Sequence, residues 1–458
     1  MASAAEQMAA NLSWGAIGKA PELRQRIFFT IGLLIVYRLG TYIPVPGIDG
    51  TALRSFMDDA ASGIGGMLNM FTGGAISRMG IFALGIMPYI SASIIVQLLT
   101  AMVPALEQLK KEGEQGRKKI NQYTRYGTVA LATFQAYGLA LSLQNGDANG
   151  VPFVNDPGVF FIASCVVTLV GGTMFLMWLG EQITARGIGN GISLIIFVGI
   201  LAEAPAALAQ FFAQGQATQN WGLVLGMIVM LLAVLTFVVF MERSLRKIHI
   251  QYPRRQVGMK VYDGGSSHLP IKVNPAGVIP AIFASSLLLL PTTISTFSGN
   301  QTGGVMSTIL AYVGPGQPLY FALFAGMIIF FTYFYTHNVS FKVDDVADNL
   351  KNQNGFVPGI RPGKRTAEYM EYVVNRVLVL GSAYLAFVCL LPEMVRSGLG
   401  VTAFFGGTSI LIVVSVGMDF IQQVQSHLLA HQYENLIERS QLRGKKRGGR
   451  SRRGAARR

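Results

Sequence analysis

The sequence predicts an all-α membrane protein of ten transmembrane helices, and three observations carry that prediction. Hydrophobic residues make up 51% of the chain and charged ones only 13%, whereas a soluble domain carries about 25% charged residues. Windows with at most one Asp, Glu, Lys or Arg recur at lengths near the ~20 residues that a helix needs to cross ~30 Å of hydrocarbon. The basic residues also alternate. Of the 37 Lys and Arg, 33 fall on alternate connecting segments beginning with the N-terminus and 4 on the others, with Arg38 and Arg376, inside the first and ninth windows, counted with the segments beside them. An even number of spans puts both termini on one side, and positive-inside bias makes that side the cytoplasm.

The first window, 27–43, is closed by the PVPG turn at 44–47. The second, 79–103, lies within a stretch without a charged residue from Met79 to Leu106. Just before it, a run of five from Met67 to Phe71 is bracketed by Gly65-Gly66 and Gly73-Gly74. That run is too short to span. Glycine hinges leading into a full span point to a re-entrant segment, which a membrane tolerates only inside protein or beside a water-filled cavity. The third to sixth windows are 126–143, 158–180, 191–212 (interrupted by Glu203) and 221–241. No charged residue occurs between Lys272 and Lys342, and the polar, Gly/Pro-rich 295–317 divides that window into the seventh and eighth spans. The ninth is 372–391 and the tenth 402–421.

The long connections are the basic ones. Residues 243–273 hold alternating stretches at 247–251 and 256–262, then Asp263-Gly264-Gly265, a hairpin signal. The 341–366 connection carries VPGIRPGKR. The tail after Leu442, RGKKRGGRSRRGAARR, is of low complexity and is expected to be irregular. Its charge suits RNA phosphates or anionic lipid. Five spans on each side of the 214–220 connection suggest two halves, as in transporters built from inverted repeats.

Catalytic patterns are missing. The chain has no H-E-x-x-H and no C-x-x-C, and Gly359-Ile-Arg-Pro-Gly363-Lys364-Arg365 lacks a spacer and the Ser/Thr of a P-loop. Cys165 and Cys389 sit in apolar runs and read as small buried hydrophobes. His249, His268, His337, His427 and His431 lie scattered near the cytoplasmic side and read as solvated or capping groups. The glycosylation patterns at Asn11 and Asn338 fall on the cytoplasmic side and are chance matches. No signal-peptide shape precedes Ile27. Arg38, Glu203 and Asp419 stand toward span ends, where long side chains reach the interface; ion-coupled transporters keep such charges mid-span.

Long stretches resemble the SecY family of protein translocase channels. They include YRLGTYIPVPGID, NMFTGGAISRMGIFALGIMPYISASIIVQLLT, KKEGEQGRKKINQYTRYGT, GTMFLMWLGEQITARGIGNGISLIIF, VIPAIFASS, ADNLKNQ with GFVPGIRPG, and FGGTSILIVV. The resemblance runs over nearly the whole chain, from about residue 23 to 442. The resemblance implies two pseudo-symmetric five-helix halves, 27–213 and 221–424, joined by a hinge at 214–220. Around them lie a cytoplasmic N-terminus (1–26), large cytoplasmic loops (242–273 and 342–369) and a basic tail (425–458). It implies a central hourglass pore closed at its waist by a ring of apolar side chains, placed by the matching motifs at Ile86, Ile90, Ile192, Ile196, Ile282 and Ile412. Ile86/Ile90 and Ile192/Ile196 are i,i+4 pairs, each presenting two β-branched groups from one helix face. Such a ring cannot hydrate ions and blocks leakage by dewetting.

The same resemblance makes 64–76 the plug, with Gly65, Gly66, Gly73 and Gly74 as hinges and Met67 and Phe71 on its body. Residues read alone also permit an amphipathic helix lying on the membrane surface there. Spans two and three face spans seven and eight across a lateral gate through which signal sequences reach the lipid. Arg361, Arg254 and Arg255 contact the SecA ATPase or the ribosome; each also serves the positive-inside bias. SecE and SecG are the implied membrane partners. The expected protein has no cofactor and no metal, is not an enzyme, and moves unfolded secretory polypeptides across the bacterial inner membrane while releasing apolar segments sideways. A secondary transporter, and an insertase or scaffold without a pore, are the rival readings.

Overall fold

The computed structural model describes residues 21–48, 50, 69, 72–145, 147–148, 151–218, 221–253, 255–257, 260–262, 265–297, 317–399 and 406–454. Its helices, in order, are α1 (Pro21–Gly40), α2 (Met87–Met102), α3 (Pro104–Lys111), α4 (Glu114–Asn145), α5 (Val159–Arg186), α6 (Gly191–Thr218), α7 (Trp221–Arg243), α8 (Ile279–Phe297), α9 (Pro318–Tyr335), α10 (Val343–Asn352), α11 (Lys364–Leu399) and α12 (Gly407–Gly454). Strands β1 (Asp147–Ala148) and β2 (Val151–Pro152) pair between α4 and α5. Strands β3 (Leu245–Gln251), β4 (Arg255–Val257), β5 (Lys260–Tyr262) and β6 (Ser266–Lys272) follow α7.

Among the described residues, each of the ten charge-poor windows holds one of these helices: α1, α2, α4 to α9, α11 and α12. Six (α5, α6, α7, α9 with its continuation, α11 and α12) are long and apolar enough to cross a membrane by length and composition. The bent pair α2–α3 makes a seventh. Outward faces carry large exposed apolar side chains such as Phe28, Phe160, Leu225 and Phe240, as a hydrocarbon solvent demands.

Several boundaries differ from the sequence expectation, each for a local reason. The second helix starts at Met87 instead of Met79, because Met79 (φ 45°) and Gly85 (φ 57°) both take left-handed backbone that interrupts a helix. Residues 79–81 instead meet the segment after α1: Val45 N–H donates to the Met79 carbonyl at 2.9 Å and Ile81 N–H to that of Ile43 at 2.9 Å. At Val103, extended ahead of Pro104, the chain bends by 98°. The third window is part of a 32-residue helix, and α6 runs on to Thr218, leaving only residues 219 and 220 of the expected 214–220 connection. The tail expected to be irregular continues α12 to Gly454, although four of residues 443–454 are glycine, the poorest ordinary helix former.

The hairpin signal at 263–265 is also displaced. The outer ladder pairs β3 with β6, Ile248 opposite Leu269 and His249 opposite His268. The reversal falls between Val257 and Lys260 of the inner β4–β5 pair. Phe356 bridges to Gln251, so the two basic loops form one unit with its own core of Ile248, Ile250, Ile271, Leu350, Val357, Met370 and Val374.

Candidate functional site

The main core runs through the middle of the helix bundle, and five of the six expected ring positions belong to it. Ile86, Ile90, Ile196, Ile282 and Ile412 are buried in one cluster, and Ile192 is half-buried against it. Four of them (Ile86, Ile90, Ile196 and Ile282) line a cavity of about 10 Å³ together with Thr72, Met87, Ser285 and Ser286. That is about the volume of a single water probe. Ile192 and Ile412 do not reach the cavity wall.

Next to this waist lies a hollow of about 220 Å³ with a mixed polar and apolar lining. Asn190 and Ser193 of the α6 end, Ile279 of α8, and Ser415 and Asp419 of α12 line it. Asn190, Ser193, Ile279 and Ser415 lie within one turn of Ile192, Ile282 or Ile412 along the chain, and Asp419 about two turns from Ile412, so the hollow adjoins the waist. The rim belongs to the basic end of the molecule, where Lys272 Nζ stands 3.7 Å from Asp419 Oδ1. Glu242 and Asn274 are buried there and joined, Asn274 Nδ2 donating to Glu242 Oε1 at 3.0 Å.

On the other side, the 72–86 limb closes the waist. Tyr37 Oη donates to the Thr72 carbonyl at 3.3 Å, and Gly74 N–H donates to that of Asn69 at 2.8 Å. Gly73 (φ 66°) and Gly74 (φ 79°) both adopt the left-handed region. A Cβ on Gly73 would stand 3.1 Å from Gly199 Cα, and one on Gly74 would collide with Glu203 Oε1. Replacing Gly74 by alanine therefore costs about 1–2 kcal/mol in backbone conformation and also displaces the Glu203 carboxylate. The expected outcome is a lower melting temperature of the intact chain in detergent, with Ser77→Ala as a mild comparison. The remaining expected plug residues, Gly65, Gly66, Met67 and Phe71, lie outside the described residues.

Other expected sites are scattered. Arg361 is exposed between the 357–360 turn and Gly363, and its carbonyl accepts from Thr366 Oγ1 at 2.9 Å. Arg255 opens β4, opposite Tyr262, while Arg254 lies outside the described residues. Span seven, α8, packs on α2 and α4. Ser286 Oγ donates to Met87 Sδ at 3.8 Å across that seam, and Lys110 Nζ donates to the Asn338 carbonyl beyond α9 at 3.2 Å.

Residue-by-residue reading missed two groups. Thr72, Ser285 and Ser286 line the cavity with no charge to mark them, although each stands inside a quoted family motif. Arg38 and Glu203, expected to reach outward from span ends, instead face each other 3.8 Å apart. The usable signal was Glu203 itself, a lone acid seven residues after Ile196 and so on the same face of α6.

Comparison with known proteins identifies the family. The sequence model of the SecY family matches residues 80–421. The protein translocase subunit SecY of Escherichia coli K12 is 53% identical over 431 residues, 94% of this chain and 97% of that one. Among solved structures, a SecY channel whose plug domain stabilises the closed state superimposes with a TM-score of 0.64 at 17% identity, covering 88% of this chain and 92% of that one. Canine Sec61 in its ribosome–channel complex gives 0.59 at 16% identity, with 88% and 92% coverage. With a match of this length and identity, the chain belongs to the SecY family.

Proposed function

We propose that this chain is the protein-conducting subunit of a translocase in a bacterial inner membrane, with both termini in the cytoplasm. Unfolded secretory polypeptides enter the hollow, pass the isoleucine waist and displace the 64–76 plug. Apolar segments and signal sequences leave sideways through the seam between α8 and the α2–α4 pair, into lipid. The halves 27–213 and 221–424 part about the short connection at 219–220. The chain is a channel and not an enzyme; energy comes from SecA or from a translating ribosome docked on Arg361 and the neighbouring Arg254 and Arg255. SecE and SecG complete the membrane assembly. The E. coli relative is a translocase subunit, and the canine channel is found in a ribosome–channel complex, which supports the ribosome as a partner.

One observation carries the reading. A cavity barely the size of a water, walled by four isoleucines from α2, its N-cap, α6 and α8 and by Thr72 of the limb, lies beside a 220 Å³ hollow edged by Asn190, Ser193, Ser415 and Asp419. A permeability barrier needs this combination of a wet approach and a narrow, unhydratable stop. The test is single-channel recording in planar bilayers. The native chain is expected to be silent, and a chain lacking 64–76 to conduct ions. A silent deletion removes the plugged-pore reading and leaves a transporter or a poreless insertase.

A further inference from the structure

A charged cluster sits on the side of the waist away from the hollow. Arg38, near the end of α1, donates through Nη1 to the Gly73 carbonyl and through Nη2 to Tyr42 Oη at 3.1 Å. Its Nη2 also stands 3.8 Å from Glu203 Oε1 of α6. Arg78 Nη2 is 3.8 Å from the same oxygen. Both guanidiniums stack over Tyr42, 5.0 and 4.4 Å from the ring centroid. The three charged side chains are only 24%, 23% and 17% exposed, so solvent screens them less than an open surface pair. The cluster thus joins α1, the 73–78 limb and α6, three segments far apart in sequence.

Helix geometry ties this cluster to the waist. At 100° per residue, Ile192, Ile196, Gly199 and Glu203 fall within an arc of roughly 60° on α6, and Glu203 lies about 10 Å along the axis from Ile196. One stripe of one helix therefore carries two expected ring residues, the glycine that lets Gly73 approach, and the acid that both arginines share. A displacement of α6 that widens the waist also withdraws Glu203 from the limb.

We infer that Arg38, Arg78 and Glu203 are positioning residues, an ionic latch that seats the 73–78 limb against the waist and lets go when α6 moves with its isoleucines. This rests on the plug-and-waist reading above. Coupling of this kind is reciprocal, so loosening the latch also eases the waist open.

The experiment compares resting ion leak through the full-length chain in planar bilayers. Glu203→Gln keeps the side chain's shape and removes its charge, and is expected to raise the leak about tenfold, the factor that corresponds to ~1.4 kcal/mol. Arg78→Glu alone should leak similarly. The exchange of Arg78→Glu with Glu203→Arg in one chain should recover part of the seal, because the 78–203 pair is restored in reverse while Arg38 now faces an arginine. Raising the salt concentration should increase the native leak (per unit of bulk conductivity) but leave that of Glu203→Gln unchanged. A native-like Glu203→Gln, or an exchange that leaks as much as the two singles combined, overturns the latch. The 64–76 deletion separates the two layers. If it conducts while Glu203→Gln stays silent, only the latch fails; if it is silent, both fail.

Discussion

Replacing Ile86, Ile192 and Ile412 together with glycine converts a silent bilayer into a conducting one, with a resting leak at least ~100-fold above native. That factor corresponds to a barrier lowered by about 2.7 kcal/mol, less than the several kcal/mol that desolvating one ion costs. The three positions come from different elements: the N-cap of α2, the first turn of α6, and α12. Ile86 and Ile412 are buried in the cluster that surrounds the 10 Å³ cavity, and Ile192 leans on it. Removing three branched side chains lets water reach a constriction that had no partner to offer it. The matching Leu triple conserves volume and apolarity and should stay closed. Single-channel recording of both triples decides the matter. A silent glycine triple with a native unfolding profile would show that the seal lies elsewhere.

Arg361→Glu should act on the opposite property. The side chain is exposed and its backbone is held by the 357–360 turn and by Thr366, so reversing the charge should change stability by no more than about 0.5 kcal/mol. Electrostatic steering toward an acidic partner surface changes association by a factor of ~10 to 1,000. ATP-driven import into membrane vesicles should therefore fall at least ~10-fold and regain activity when the partner's concentration is raised. Resting ion leak should match the native chain, which separates docking from the pore. Undiminished import at low motor concentration would remove Arg361 from the docking surface.

The bundle was largely legible in the sequence because hydrocarbon imposes one rule, long runs without charge, and the alternation of Lys and Arg numbers the crossings. What was not legible came from contacts between distant segments. Nothing near Met79 announces that residues 79–81 bond to 43–45, so the second helix was expected eight residues too early. The Asp263-Gly264-Gly265 signal is a genuine turn composition, yet the strand after it returns to β3 instead of to its nearest neighbour. The ring isoleucines are the extreme case. An isoleucine facing lipid and one facing a waist have the same spacing and the same neighbours along the chain. Only family motifs singled out the six, and only the folded chain brings four of them around one cavity. Arg38, Arg78 and Glu203 were visible as charges, but their shared geometry depends on three elements meeting.

The unit built from β3–β6 and α10 is wired to one part of the molecule. A single residue, Ser244, separates α7 from β3; β6 leads into α8; and Met370 and Val374 of its core belong to α11. Among the described residues, no side chain in that core comes from before residue 221. Mechanically it is a handle fixed to the later helices. On the proposed seam, a partner that grips the handle should strain the joint spanned by Ser286 and Met87, which itself lies on the wall of the waist cavity. That contact is a thioether hydrogen bond, among the weakest a protein makes. Load on the handle should therefore appear first as a longer distance between residues 87 and 286, before any change in conductance.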